Sequence, residues 1–380
     1  MIRRFIQNAG WPRIIIALFL LGLFIAAPFV GVRVDTSLSN TLVRFGMNGV
    51  MVLAMIPMVQ AGCGLNFGLP LGIIAGLVGA TLSIEWNTDI MSWLVGLARQ
   101  YQITWLTQEF VDTWREPIGF ASAIVIAVPI AAILGWLYGK LLNRVKGDEM
   151  MIATYVGFSS VSFMCIAWLL LPYKHPTMVW GYAGRGLRTT ISVEGYWLHV
   201  LNDSLSLKLS DYPSMPEWIN HLYIPTGMLI FFAVMAVLVW IFMRTKTGTA
   251  MTAVGSNPEF ARASGVNVDK MRTISVMLST ILGAIGIIVY EQSFGFIQLY
   301  MGPFYMALPA VASILLGGAS VNKAGILNVI VGTFLFQGIL TMTPSVINSY
   351  LQTDMSEVIR LIVSNGMILY ALTRKVRAGR

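Results

Sequence analysis

Long apolar runs separated by short polar breaks dominate the chain. Ten of them reach or approach the roughly 20 residues a helix needs to cross a bilayer. They occupy residues 14–32, 42–60, 71–86, 118–138, 150–171, 224–243, 274–290, 304–317, 326–342 and 358–372. Such runs fold as helices in lipid, because a helix satisfies its own backbone polar groups where water is absent. The expected fold class is all-α, a polytopic membrane protein of about ten transmembrane helices. No charged linker or low-complexity tract interrupts the series, so residues 1–380 read as a single transmembrane domain.

The breaks carry most of the information. Residues 61–70, AGCGLNFGLP, are too rich in Gly and Pro to continue a helix smoothly. At membrane depth such backbone is tolerated where protein or a water-filled cavity surrounds it. Asn66 would then face a translocation path; the alternative is a tight turn at the membrane surface. Around residues 87–117, Trp86, Trp93, Trp105 and Trp114 alternate with polar groups, the pattern of an insertion lying in the interface. Residues 173–223 form the longest polar break and read as an extracytoplasmic cap. Its Trp180, Tyr182, Tyr196, Trp197 and Trp218 serve as interfacial anchors or as binding groups.

The last long break, residues 244–272, is a basic island with the sequence RTKTGTAMTAVGSNPEFARASGVNVDKMR. Ser256 or Asn257 can cap a helix start, Pro258 suits the first turn, and Glu259 suits the positive end of the helix dipole. Ser256 and Glu259 also stand at capping-box spacing. Gly265 offers a left-handed stop. The spacing predicts a short helix over 258–264 at the membrane surface, with only loops around it.

Composition agrees with a membrane chain. Hydrophobic residues make up 56% and charged residues 11%, against roughly a quarter charged in soluble domains. The net charge of +8 therefore points to Lys and Arg gathered on cytoplasmic segments rather than to nucleic acid. With an even number of crossings and a cytoplasmic N-terminus, segments 1–13, 140–149, 244–272, 319–325 and 373–380 are cytoplasmic. They hold 16 of the 25 Lys and Arg. Both termini and the 258–264 helix are then cytoplasmic. The first run follows Arg3, Arg4 and Arg13 and reads as a retained anchor rather than a cleaved signal peptide. Cys63 and Cys165 lie in or beside apolar runs, which argues against a disulfide framework, and His175, His199 and His221 lack ligand spacing.

No phosphate-cradling loop, nucleophile elbow, zinc-binding His pair or paired aspartates suited to Mg²⁺ occur, so the chain does not read as an enzyme. Ionisable groups at mid-span cost about 2.5–3.5 kcal/mol each and are retained for use. Here Arg44, Glu291 and Arg360 fall near expected outer ends, within snorkelling reach, and Glu85 ends a span. The driving energy is therefore expected from elsewhere. The polar residues within the spans are mostly neutral, and Asn48, Gln60, Asn66, Gln292, Asn328, Gln337 and Asn365 are candidates for a hydroxyl-rich solute path. Interhelical hydrogen bonding explains each of them singly. Gly72, Gly76, Gly79, Gly283 and Gly286 read as close helix contacts.

The island and the segment after it, residues 247–268 and Leu315-Leu316-Gly317-Gly318-Ala319-Ser320, resemble the permease subunits of ATP-binding-cassette importers of the branched-chain amino acid/ribose type. The resemblance is to the branch serving ribose, galactose, autoinducer-2 and nucleosides. That family carries a Gly-x-Asn-Pro/Glu-x-Ala-Ala-x-x-x-Gly-Ile-x-Val pattern here. This chain keeps Asn257, Ala261, Gly265 and Val268 and places Phe260 where an alanine is common. The resemblance implies a coupling helix, carried by Ser256, Asn257, Pro258, Glu259, Ala261, Arg262 and Gly265, seated on a separate ATPase subunit. It also implies a second permease, identical or paralogous, and an extracytoplasmic substrate-binding protein. ATP and Mg²⁺ would be bound by the ATPase, with no cofactor on this chain. The location would be the bacterial plasma (inner) membrane. The implied solute is a simple sugar, or alternatively a nucleoside or riboflavin-like ligand; an ion-coupled secondary transporter is the rival of another class.

Overall fold

A computed structural model describes residues 11–101, 108–179, 187–203, 206–208, 220–320, 323–352 and 355–378. Trp105, Trp180, Tyr182 and Trp218 lie outside the described residues. All ten apolar runs are helical, with 42–60 shared between two helices. In chain order the helices begin with α1 (Trp11–Ala26), extended by a 3₁₀ turn (Ala27–Val30), then α2 (Val34–Leu53), α3 (Met55–Gln60) and α4 (Leu69–Glu85). There follow α5 (Asn87–Gln100), α6 (Gln108–Thr113), α7 (Arg115–Arg144), α8 (Glu149–Leu170) and α9 (Val200–Asp203). The second half adds α10 (Thr226–Arg244), α11 (Lys246–Ser256), α12 (Pro258–Ala263), α13 (Val268–Phe294), α14 (Gly302–Leu316), α15 (Ile326–Leu351) and α16 (Ser356–Ala378). Among the described residues, four short strands, β1 (Thr190–Ser192), β2 (Leu207–Lys208), β3 (Tyr223–Ile224) and β4 (Phe296–Gln298), make two antiparallel ribbons, β1 with β4 and β2 with β3.

The fold is all-α and polytopic. Among the described residues, seven spans qualify by length and apolarity to cross a membrane, and an eighth if α4 and α5, bent by 68°, form one broken span. The two other expected spans differ for physical reasons. The 15 residues of α14 reach only about 22 Å at 1.5 Å per residue, short of a bilayer core of about 30 Å. Helix α16 is longer, but Glu357, Arg360 and Asn365 interrupt its apolar run.

Two compact units emerge. The first comprises Met1–Leu65, Asn202–Val268 and Leu308–Arg380. Helix α2 runs through it, and Gly46 and Gly49 admit α10 so closely that a Cβ would stand 2.3 Å from Met228 Sδ and 2.7 Å from Phe232 Cδ2. Phe45 meets Phe232 edge-on at 5.1 Å. Leu20 and Ala27 of the N-terminal helix and its 3₁₀ turn pack with Leu335, Ile339 and Met342 of α15. Ala312 and Leu316 of α14 and Ala371 of α16 close on Phe336 and Leu340.

The second unit comprises Asn66–Leu201 and Asp269–Ala307. Its centre is α4, clasped by α7 and α13 through backbone contact. A Cβ on Gly72 would lie 2.7 Å from the Thr280 carbonyl oxygen, one on Gly76 2.5 Å from that of Ala284, and one on Gly79 2.8 Å from that of Ala123. Small residues allow this approach, which gives dispersion contact where lipid offers no hydrophobic drive between helices. The glycines at 72, 76, 79 and 283 thus mark helix contacts, as expected. In the 87–117 insertion, Met91, Val95 and Val111 form a small core while Trp93 and Trp114 stay exposed. Trp197 of the 173–223 insertion is wholly buried, so it is part of a core rather than an interfacial anchor.

Candidate functional site

The basic island folds as two helices in succession. Thr245 caps α11, its Oγ1 accepting from the Gly248 amide at 3.3 Å, and Met251 and Val254 are buried one turn apart. This helix corrects the expectation of loops alone around the short one. It also corrects Ser256, which is the last residue of α11 and donates to the Thr252 carbonyl at 2.8 Å instead of capping. Asn257 is the cap of α12: extended backbone turns its Oδ1 to accept from the Phe260 amide at 3.0 Å. Pro258 and Glu259 fill the first turn and Arg262 the last.

Gly265 has φ of +82°, and the α12 C-terminus closes in the double-bonded manner that suits glycine. The Val266 amide donates to the Ala261 carbonyl and the Gly265 amide to that of Arg262, each at 3.0 Å. Only Ala261 is buried in this helix; Glu259, Phe260 and Arg262 are exposed, Phe260 at 68%. The outcome is a short helix fixed at both ends, presenting an aromatic ring between an acid and a base.

The path candidates are divided between the two units. In the first unit, Asn48 is half-buried and donates to the Arg44 carbonyl in its own helix at 2.9 Å. Gln337 is buried on α15, whereas Asn365 is exposed on α16. Gln60 and Asn328 are brought together. Gln60 Nε2 donates to the Ala324 carbonyl, and the next residue, Gly325, starts α15 with its amide donating to Asn328 Oδ1 at 2.9 Å. Asn328 Nδ2 donates to the Gly317 carbonyl at 2.8 Å.

In the second unit, Asn66 is fully buried, donates to Ser279 Oγ at 2.8 Å and accepts from the Tyr138 hydroxyl at 3.4 Å. The whole of 61–70 is buried or half-buried, so it is not an exposed turn. Gln292 is also fully buried, and its Oε1 accepts from the Leu201 amide at 3.2 Å.

Charged groups gather where the α7–α8 connection meets the start of α13. Arg272 pairs with Glu149, their side chains 10% and 16% exposed. Lys146 pairs with Asp269 at 2.7 Å in a much wetter setting, 45% and 54% exposed. Asn143 Nδ2 donates to the Asp269 carbonyl at 2.8 Å and to Thr273 Oγ1 at 2.9 Å. At the other end of α4, Glu85 accepts from the amides of Lys174 and His175, each at 3.0 Å, and Thr81 shares a 2.9 Å hydrogen bond with Tyr173. Burial pushes the Tyr173 phenol up, the Thr81 hydrogen bond pulls it back, and the Glu85 charge adds to the rise.

The family described as branched-chain amino acid transport system / permease component matches residues 14–372. The chain belongs to that permease family. The permease is 28% identical over 193 residues to the "Autoinducer 2 import system permease protein LsrC" of Enterobacter sp. (strain 638), covering 48% of this chain and 52% of that protein. It is 33% identical over 110 residues to the "Galactose/methyl galactoside import permease protein MglC" of Haemophilus influenzae, covering 28% and 32%. A longer match, 19% identical over 330 residues, joins it to the "Nucleoside ABC transporter permease protein NupB" of Lactococcus lactis, covering 84% and 83%. The permease thus spans about half of the length of the autoinducer-2 relative. No solved structure matches it. Family and apolar helices together make it a multi-pass inner-membrane protein whose family role is that of the permease component.

Two features of the permease escaped the sequence. Glu291 was expected near an outer end, within snorkelling reach, but it is 1% exposed and neither carboxylate oxygen has a hydrogen-bond partner among the described residues. The His199 amide donates to the Gln292 carbonyl at 2.8 Å, and the Val193 amide to that of Gly295 at 3.2 Å, so the 193–201 segment folds over this end of α13. The expectation that no acid is buried within the spans therefore does not hold, and it cannot argue for an external energy source. Arg360 is paired with Glu357 at 2.8 Å and Arg44 is half-buried. Helix α11 was the other omission. Its buried Met251 and Val254 were visible at helical spacing, but Thr, Gly and Ser around them are weak helix formers.

Proposed function

We propose that this chain is the membrane-spanning permease subunit of an ATP-driven importer for a small polar solute, foremost a simple sugar. The observation that carries this reading is the α12 helix, capped at both ends and exposing Phe260 between Glu259 and Arg262, in a chain of this permease family. A helix held so firmly passes a rigid-body shift to its flanking elements instead of absorbing it. Its seat is a groove on a separate ATPase subunit, which binds ATP and Mg²⁺; this chain is a passive gate. Both termini and α12 in the cytosol, a second permease across the path, and a substrate-binding protein on the outer insertions complete the assembly. The names of the galactose and autoinducer-2 relatives support a sugar-like solute.

A nucleoside is the second reading, favoured by the 330-residue match to the nucleoside permease. An ion-coupled carrier has one observation in its favour, the buried Glu291. The deciding experiment isolates the native complex through a tag on this chain, reconstitutes it in liposomes, and measures uptake of radiolabelled D-ribose, D-galactose and uridine. ATP-dependent uptake, lost on deleting residues 257–264, is the expected result. Uptake by this chain alone under an ion gradient would refute the reading.

A further inference from the structure

We propose that Gln60 and Asn328, rather than lining a solute path, hold a joint that carries movement of the α11–α12 pair to α14 and α15. The proposal rests on the importer reading. The joint begins at Gly255, near the end of α11. A Cβ there would lie 2.1 Å from the Gln60 carbonyl oxygen and 2.9 Å from the Gly62 amide nitrogen, and one on Gly62 would lie 2.9 Å from Gly255 Cα. Two backbones are therefore in direct contact with no side chain between them. Such a contact cannot yield by rotamer change, so α11 cannot shift without displacing residues 60–62.

That turn is tied onward. Gln60 reaches across 264 positions of sequence to the Ala324 carbonyl, and Ala324 itself is buried. Asn328 then binds both sides of the following step, accepting from the Gly325 amide and donating to the Gly317 carbonyl. Helices α14 and α15 touch through backbone at the same place: a Cβ on Gly317 would lie 1.8 Å from the Asn328 carbonyl oxygen, and one on Gly332 1.9 Å from that of Ser313. Every link is either a backbone contact or a side-chain amide bound to a backbone group. Both amides are engaged within the protein, Gln60 as donor and Asn328 as donor and acceptor, which leaves them poor ligands for a passing solute. All links lie in the first unit.

The test compares the wild-type complex with Gln60→Leu and Gly255→Ala in proteoliposomes. It records phosphate release and uptake of radiolabelled D-ribose, D-galactose and uridine in the same vesicles. Gln60→Leu leaves the backbone contact intact, so it carries the test if Gly255→Ala fails to assemble with the ATPase. The expected result is continued ATP hydrolysis with solute moved per ATP down about tenfold, within the range of coupling changes seen along packed networks. The solute concentration for half-maximal uptake should stay unchanged. An unchanged solute-to-ATP ratio in Gln60→Leu overturns the joint. A raised half-maximal concentration at an unchanged ratio also overturns it and makes Gln60 a solute contact. Wild-type vesicles that hydrolyse ATP yet move none of the three solutes would sink the importer reading, and the joint with it.

Discussion

Replacing Arg272 by methionine tests how charge holds the second unit together at the start of α13. The guanidinium and the Glu149 carboxylate are nearly buried, 10% and 16% exposed, whereas Lys146 and Asp269, one helical turn away, are 45% and 54% exposed. Removing one partner of a buried pair strands the other charge and costs about 3–5 kcal/mol. Residual wetness of this pair argues for the lower end, about 3 kcal/mol. Removing one partner of an exposed pair costs about 0–1 kcal/mol, because water and salt already screen it. For a unit of this size 1 kcal/mol moves the melting temperature by about 2–4 °C. Arg272→Met should therefore lower it by about 6–12 °C and Lys146→Met by at most about 4 °C.

Thermal unfolding of the detergent-purified protein, followed by tryptophan fluorescence, gives both values. The double variant Arg272→Met/Glu149→Leu should recover much of the loss, since it leaves no stranded charge. Raising salt should leave the Arg272 effect in place while erasing the Lys146 effect. Equal shifts for the two single variants, or a double variant as unstable as Arg272→Met, would refute the assignment of stability to burial of the pair.

Three further outcomes follow from the geometry. Asn257→Ala removes the α12 cap, a loss of about 1 kcal/mol, so amide exchange across 258–264 should quicken by about fivefold; unchanged exchange would mean that packing rather than capping holds the helix. Glu291→Leu should raise the melting temperature, because a buried carboxyl lacking hydrogen bonds among the described residues costs about 1–3 kcal/mol or more; a lowered value would refute that cost. Gly79→Leu should prevent stable folding of the second unit, since even a Cβ there meets Ala127 Cβ at 2.5 Å and the Ala123 carbonyl oxygen at 2.8 Å; a monodisperse, wild-type-like melting profile would contradict that close packing.

What could be read in advance divides along a physical line. Apolar length is a local property, and the ten runs all became helical because the bilayer leaves long apolar segments no other way to satisfy their backbone. Asn257, Pro258 and Gly265 act within one turn of themselves, so α12 and its left-handed stop were legible too. The choice between Ser256 and Asn257 as cap was not, because it depends on where α11 ends, and α11 owes its place to buried Met251 and Val254 rather than to propensity. Depth is likewise not local. Glu291 lies close to the end of an apolar run, and sequence distance alone puts it near water. The 193–201 segment, about ninety positions earlier, folds over that end through the His199 and Leu201 amides and takes the water away.

The same reasoning separates Gln60 from Asn66, which look alike on paper as amides, one just before a Gly-rich break and one within it. Gln60 is engaged by a carbonyl far along the chain in the first unit, and Asn66 by Ser279 and Tyr138 in the second. Between them, Gly62 and Gly64 at φ of +73° and +78° supply left-handed backbone that other residues resist. A helix continued through 61–68 would have to forgo this left-handed backbone. The glycines therefore serve the break itself, and each amide is anchored within its own unit.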